Sequence, residues 1–71
     1  MNQLLGDFQE IKLRLFSDRR IIIENYKKLK DINNDMIVID NYIIVGNFLK
    51  IRKMDPMMIE IYGEINEIII G

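Results

Sequence analysis

The residues of this chain that could do chemistry are its carboxylates and one hydroxyl. Glu60 and Glu64 stand four apart in "MIEIYGEINEI", and two carboxylates sharing a site can divide acid and base work. Their surroundings argue otherwise, because at strand spacing polar residues that alternate with isoleucine form the solvated face of a sheet. Ser17 is the single serine, and there is no histidine to take its proton; a hydroxyl without a base is not an activated nucleophile. Cysteine is also absent, so the chain has neither of the side chains that most often hold transition metals. Gly6, Gly46, Gly63 and Gly71 lie too far apart to cradle a phosphate or to form a dinucleotide fingerprint. The expectation is a protein that is not an enzyme, with no catalytic residue, cofactor or metal.

What remains is binding. A chain of 71 residues makes one small domain that buries only ~60% of the surface its unfolded form exposes. Without a disulfide or metal, domains below ~70–80 residues often gain stability from a second copy or a partner. The net charge is −1 and the pI about 5.3, whereas a dedicated nucleic-acid domain carries a basic excess. The charge is unevenly spread, however. Seven bases stand against Asp18 and Glu24 between Lys12 and Lys30, while Asp55 to Gly71 has four acids and no base, so opposite ends of two molecules could attract. Arg19, Arg20, Lys27, Lys28 and Lys30 are the residues on which the alternative function, a small nucleic-acid-binding module, would rest, with Tyr26, Tyr42 or Phe48 to stack on bases. No apolar run approaches the ~18 residues of a membrane span, and no basic-then-apolar leader opens the chain. A cytoplasmic chain that meets a membrane only through a partner is expected.

The elements that must position these residues are strands. Sixteen isoleucines and no alanine favour a pleated, packed surface over a helix. "MNQLLGDFQE" is a loose end or a single helical turn over residues 1–10. "IKLRLF" alternates as a half-buried strand, "SDRR" breaks it, and "IIIENY" is a second strand. "KKLKDINND" is polar, with Leu29 and Ile32 as anchors and a turn at Asn33-Asn34-Asp35. Asp40-Asn41 reads as a two-residue hairpin loop, which pairs Ile39 with Tyr42, Val38 with Ile43 and Ile37 with Ile44. A second hairpin joins "FLKIRKM" to "MMIEIY"; a three-residue loop, Asp55 to Met57, pairs Arg52 with Glu60 and Ile51 with Ile61. "EINEIII" closes the chain. The expected fold is all-β, one small antiparallel meander bent into a compact roll or two-layer sandwich, with a solenoid-like stack as the alternative.

Two features stand out within that sheet. Gly46 in "IVGNFLKI" and Gly63 in "IYGEINEI" interrupt strand pattern, as glycine does at a bulge, a corner or a close backbone approach. The runs at 21–23, 37–39, 43–45 and 68–70 put isoleucine or valine on both faces of a strand, and such strands need cover on both sides. One short chain has too little material to supply it, unless it rolls into a tight barrel or two-layer sandwich that covers itself. Ile21, Ile23, Ile68, Ile69 and Ile70 are the residues expected to meet another protein, by self-association or by addition to a strand edge.

From about Ile11 to Ile69 the chain resembles the YabP/YqfC family of sporulation proteins. The likeness lies in "IIIENYKKL" at 21–29, "YIIVGNFLKIRKM" at 42–54 and "MIEIYGEINEI" at 58–68. Tyr26 stands where that family commonly has histidine and Lys28 where it has glycine, so no role of that histidine carries over. The resemblance implies a part in spore formation in the mother-cell compartment, without catalytic residues or cofactor, through a homo-oligomer or another sporulation protein.

Overall fold

Side-chain alternation and tight turns cut the chain into six strands: β1 Lys12–Phe16, β2 Arg20–Glu24, β3 Leu29–Ile32, β4 Met36–Ile39, β5 Tyr42–Met54 and β6 Met58–Ile70. The computed structural model describes residues 10–71. The loose end or helical turn expected over 1–10 therefore falls, but for Glu10, outside the described residues. All six strands belong to one antiparallel sheet in the order β1-β2-β6-β5-β4-β3. The tight turns favour antiparallel neighbours, and a solenoid-like stack does not form. Strands β3 to β6 follow one another as a meander, while the β1–β2 hairpin joins β6 rather than β3. Residues 29–32, read from sequence only as polar chain with two anchors, form the edge strand β3.

The hairpin at Asp40-Asn41 has the expected register, with Ile39 opposite Tyr42, Val38 opposite Ile43 and Ile37 opposite Ile44. The one between β5 and β6 reaches its parity by another route. Ile51 does face Ile61, but Lys53 rather than Arg52 faces Glu60, because a register shift falls between Ile51 and Lys53. The cause is the turn itself. Asp55 and Met58 exchange backbone hydrogen bonds, and the Asp55 carboxylate accepts from the amides of Met57 and Met58 at 2.8 and 2.9 Å. The loop tightens to Pro56-Met57, and the surplus residue moves into the strand at Arg52.

A short link then bends the whole sheet. Glu24, at the end of β2, lies opposite Met58 at the start of β6. Leu29, at the start of β3, lies in the row that runs through Ile39 and Tyr42 to Ile70 at the far end of β6. On a flat ribbon these rows would be ~40 Å apart at ~3.3 Å per residue, whereas residues 25–28 reach at most ~18 Å. The β5–β6 ribbon must fold back in its middle. The link is tied to both of its ends: the Asn25 amide donates to the Met57 carbonyl at 2.7 Å and the Asp40 amide to the Lys28 carbonyl at 2.9 Å. The Asp40 carboxylate accepts from the amides of Lys27 and Lys28, and Tyr26 Oη donates to the Asp55 carbonyl at 2.7 Å.

The fold-back falls at the two glycines. A Cβ on Gly46 would stand 2.0 Å from the Glu64 carbonyl oxygen, and one on Gly63, whose φ is +141°, would stand 2.7 Å from the Phe48 carbonyl oxygen. Register shifts flank both positions. The inner faces of the two arms so formed meet in one core of Ile21, Ile23, Ile37, Ile39, Ile44, Leu49, Ile59, Ile61 and Ile65. Ile21 and Ile23, expected at an intermolecular contact, are fully buried. They point inward with Ile61 and Ile59, and the residue of that run facing the other way is Ile22.

Gly46→Ala should lower the unfolding free energy by about 2–4 kcal/mol, since backbone must move to admit the methyl group. Gly71→Ala, with only an ordinary 3.6 Å neighbour, should stay within ~0.5 kcal/mol of the parent; urea denaturation of both variants checks this. Asp40→Ala should cost about 1–2 kcal/mol through loss of the link's anchor, while Asp31→Ala, whose carboxylate accepts only from the next amide, should cost less in the same assay.

Candidate interaction surfaces

Because both inner faces share one core, the two outer faces point away from each other. The first covers β1, β2 and the half of the β5–β6 ribbon next to the Pro56-Met57 turn. Pairing runs Arg14–Ile22–Glu60–Lys53 in one row and Phe16–Arg20–Tyr62–Lys50 in the next. Arg20 is the centre of this surface. Its guanidinium lies 4.4 Å from the Phe16 ring centroid and 5.9 Å from that of Tyr62, with Arg52 on Tyr62 at 5.1 Å. Arg20 Nη1 donates to Tyr62 Oη at 3.4 Å and to Glu60 Oε2 at 3.3 Å. Tyr62 first, and Glu60 with it, raise the Arg20 pKa above its ordinary value. Glu60, 8% exposed, is thereby a paired structural carboxylate. Its supposed partner in acid–base work, Glu64, is exposed and accepts from Asn47 Nδ2 at 3.0 Å.

Beside this stack lies an open cleft of about 360 Å³ lined by Arg19, Phe48, Tyr62, Gly63 and Glu64. Phe48 is 78% exposed and has φ +55°, a region that bulky L-residues rarely enter. The bulge next to Gly63 imposes that conformation, since Asn47 pairs with Glu64 but the next paired residue of β5 is Lys50.

The second outer face covers β3, β4 and the other half of the ribbon. Its rows are Asp31–Val38–Ile43–Ile69 and Met36–Val45–Glu67. Val38, Ile43, Met36 and Val45 are half-buried and Ile69 is 39% exposed. This is an aliphatic surface with acids at its margins; Lys30 stands at the bulge in the adjoining edge strand. Of the residues expected at a contact, Ile69 belongs to this face. Ile68 points inward with Ile44, and Ile70, 72% exposed, ends the inner row beside Tyr42.

The five basic residues of the alternative reading do not form one patch. Arg19 lines the cleft, Arg20 is engaged in the aromatic stack, Lys27 and Lys28 belong to the link, and Lys30 lies on β3. Among the described residues no group of His, Cys, Asp or Glu could hold a metal ion, no buried side-chain nitrogen or oxygen lacks a partner, and no helix is long and apolar enough to cross a membrane. No family profile, curated protein or solved structure matches this chain.

Phe48→Gly should leave stability unchanged or raise it by up to about 1 kcal/mol, because relief of a positive φ offsets the greater freedom of the unfolded glycine chain. A loss of more than that in thermal or urea unfolding would show Phe48 to be a packing residue rather than one kept for its exposed ring.

Proposed function

We propose that this is a non-catalytic assembly protein that works by associating with itself or with another protein, and that the process it serves is spore formation. The sporulation element rests on the family resemblance alone. The assembly element is supported by one observation above all, the aliphatic row Val38–Ile43–Ile69 on the outside of the second arm, which no other described strand covers. An apolar sheet face needs cover, and contiguous apolar surface of this kind marks interaction sites on small soluble domains. The opposite face, rich in arginine and aromatic rings, has the composition of protein-interaction hot spots.

A nucleic-acid-binding module is the second reading. It is favoured by the exposed Phe48 beside Tyr62 and Arg19 at the cleft, and it is opposed by the acidic overall balance. Affinity for single-stranded oligonucleotides that falls steeply with salt would establish it.

Sedimentation velocity over a concentration series should show dimers or larger species. Ile69→Lys should weaken association at least roughly tenfold, as loss of one well-placed interface residue does, without changing the thermal transition. A parent chain that stays monomeric and captures no partner from sporulating cells would overturn the proposal.

A further inference from the structure

The two arms are built alike, and their likeness has a chemical consequence. At one corner the Gly63 amide donates to the Arg19 carbonyl and the Ile65 amide to the Asp18 carbonyl; at the other the Gly46 amide donates to the Asp35 carbonyl and the Leu49 amide to the Asn34 carbonyl. The pairing is repeated as well. Arg20 opposite Tyr62 and Ile22 opposite Glu60 correspond to Met36 opposite Val45 and Val38 opposite Ile43. The halves are thus related by an approximate two-fold, and their outer faces have the same strand pattern.

At corresponding places those faces carry opposite charges. Lys50, opposite Tyr62 on the first arm, corresponds to Glu67, opposite Val45 on the second. Arg14, opposite Ile22, corresponds to Asp31, opposite Val38. On the first face Arg14 is paired with Glu24 at 3.0 Å and Arg20 with Glu60 at 3.3 Å, which leaves Lys50 and Lys53 as its basic surplus, whereas the second face carries the acids Asp31 and Glu67 around an aliphatic centre.

We infer that the two outer faces are the complementary halves of one contact, so that copies of this chain stack head to tail, the arginine–aromatic face of one on the aliphatic face of the next. The inference rests on the self-association proposed above and names its geometry. Contact between two first faces would bring their surplus bases, Lys50 and Lys53, together, and contact between two second faces would do the same with Asp31 and Glu67; like charges brought together at an interface are unfavourable. Only the unlike pairing sets a basic surplus against an acidic one. It is heterologous, and because the faces point in opposite directions it adds copies in a line instead of closing on a dimer.

Charge reversal at two exposed positions, Lys50 and Glu67, tests this by sedimentation velocity and light scattering, with circular dichroism verifying the fold. The parent should grow beyond a dimer as concentration rises. Lys50→Glu alone and Glu67→Lys alone should each weaken assembly about tenfold or more. In the proposed stack Lys50 of one copy is set against Glu67 of the next. An equimolar mixture of the two variants should therefore recover the parent's behaviour, because the contact between unlike molecules is again between opposite charges at that position. The doubly reversed chain should recover it too, and it carries the test alone if a single variant does not fold. Assembly that stops at a dimer, or that only one reversal weakens, or that neither the mixture nor the double variant restores, overturns the stack and leaves self-association standing. A parent that remains monomeric overturns self-association itself.

Discussion

Four residues, 25–28, hold this fold in its shape. They join the end of β2 to the start of β3, rows that belong to opposite ends of a thirteen-residue strand, and they are far too short to do so across a flat sheet. The ribbon folds back because the link demands it. The two acidic turns keep it so, Asp40 by accepting from the link's amides and Asp55 by accepting from Tyr26 through its carbonyl. Gly46 and Gly63 then have no alternative side chain, since the backbones of β5 and β6 cross where a Cβ would stand.

That one constraint divides the isoleucines between two fates. On the inner faces, Ile21, Ile23, Ile37, Ile39, Ile44, Ile59 and Ile61 lose all contact with water, each contributing about 1.5–3 kcal/mol of transfer free energy. On the outer faces, Ile22, Ile43 and Ile69 have the same side chain and, among the described residues, no second layer above them. The fold-back uses the strands of the described chain to cover one side of the sheet. Nothing of the described chain is left to cover the other, which is why the proposed assembly uses that surface.

Much of this was legible before any coordinates. Asp40-Asn41 specifies a two-residue loop, and the register of β4 on β5 follows from it. The pairing of Ile51 with Ile61 was likewise recoverable from parity, though through a three-residue loop where the chain uses a tight turn and a bulge at Arg52. Strand β3 was hidden because "LKDI" has no alternation: a bulge between Leu29 and Asp31 breaks the period on which recognition depends. The run at 21–23 marks both faces of β2 as apolar without telling which faces inward, so the sequence points to Ile21 and Ile23 where the fold buries both and turns Ile22 outward. The aromatic stack around Arg20 could not be read at all, because Phe16, Tyr62 and Arg52 meet only once β2 lies beside β6 and the bulge has turned Arg52 onto the ring.

In the proposed assembly the outward isoleucines, and not the core ones, are the working surface. Isoleucine δ1-methyl labelling tests it directly, with spectra recorded from dilute to concentrated protein. Resonances of Ile22, Ile43 and Ile69 should shift or broaden as concentration rises, while those of Ile21, Ile37 and Ile59 keep their positions. Invariance of all the methyl groups, or changes centred on the buried set, would contradict it.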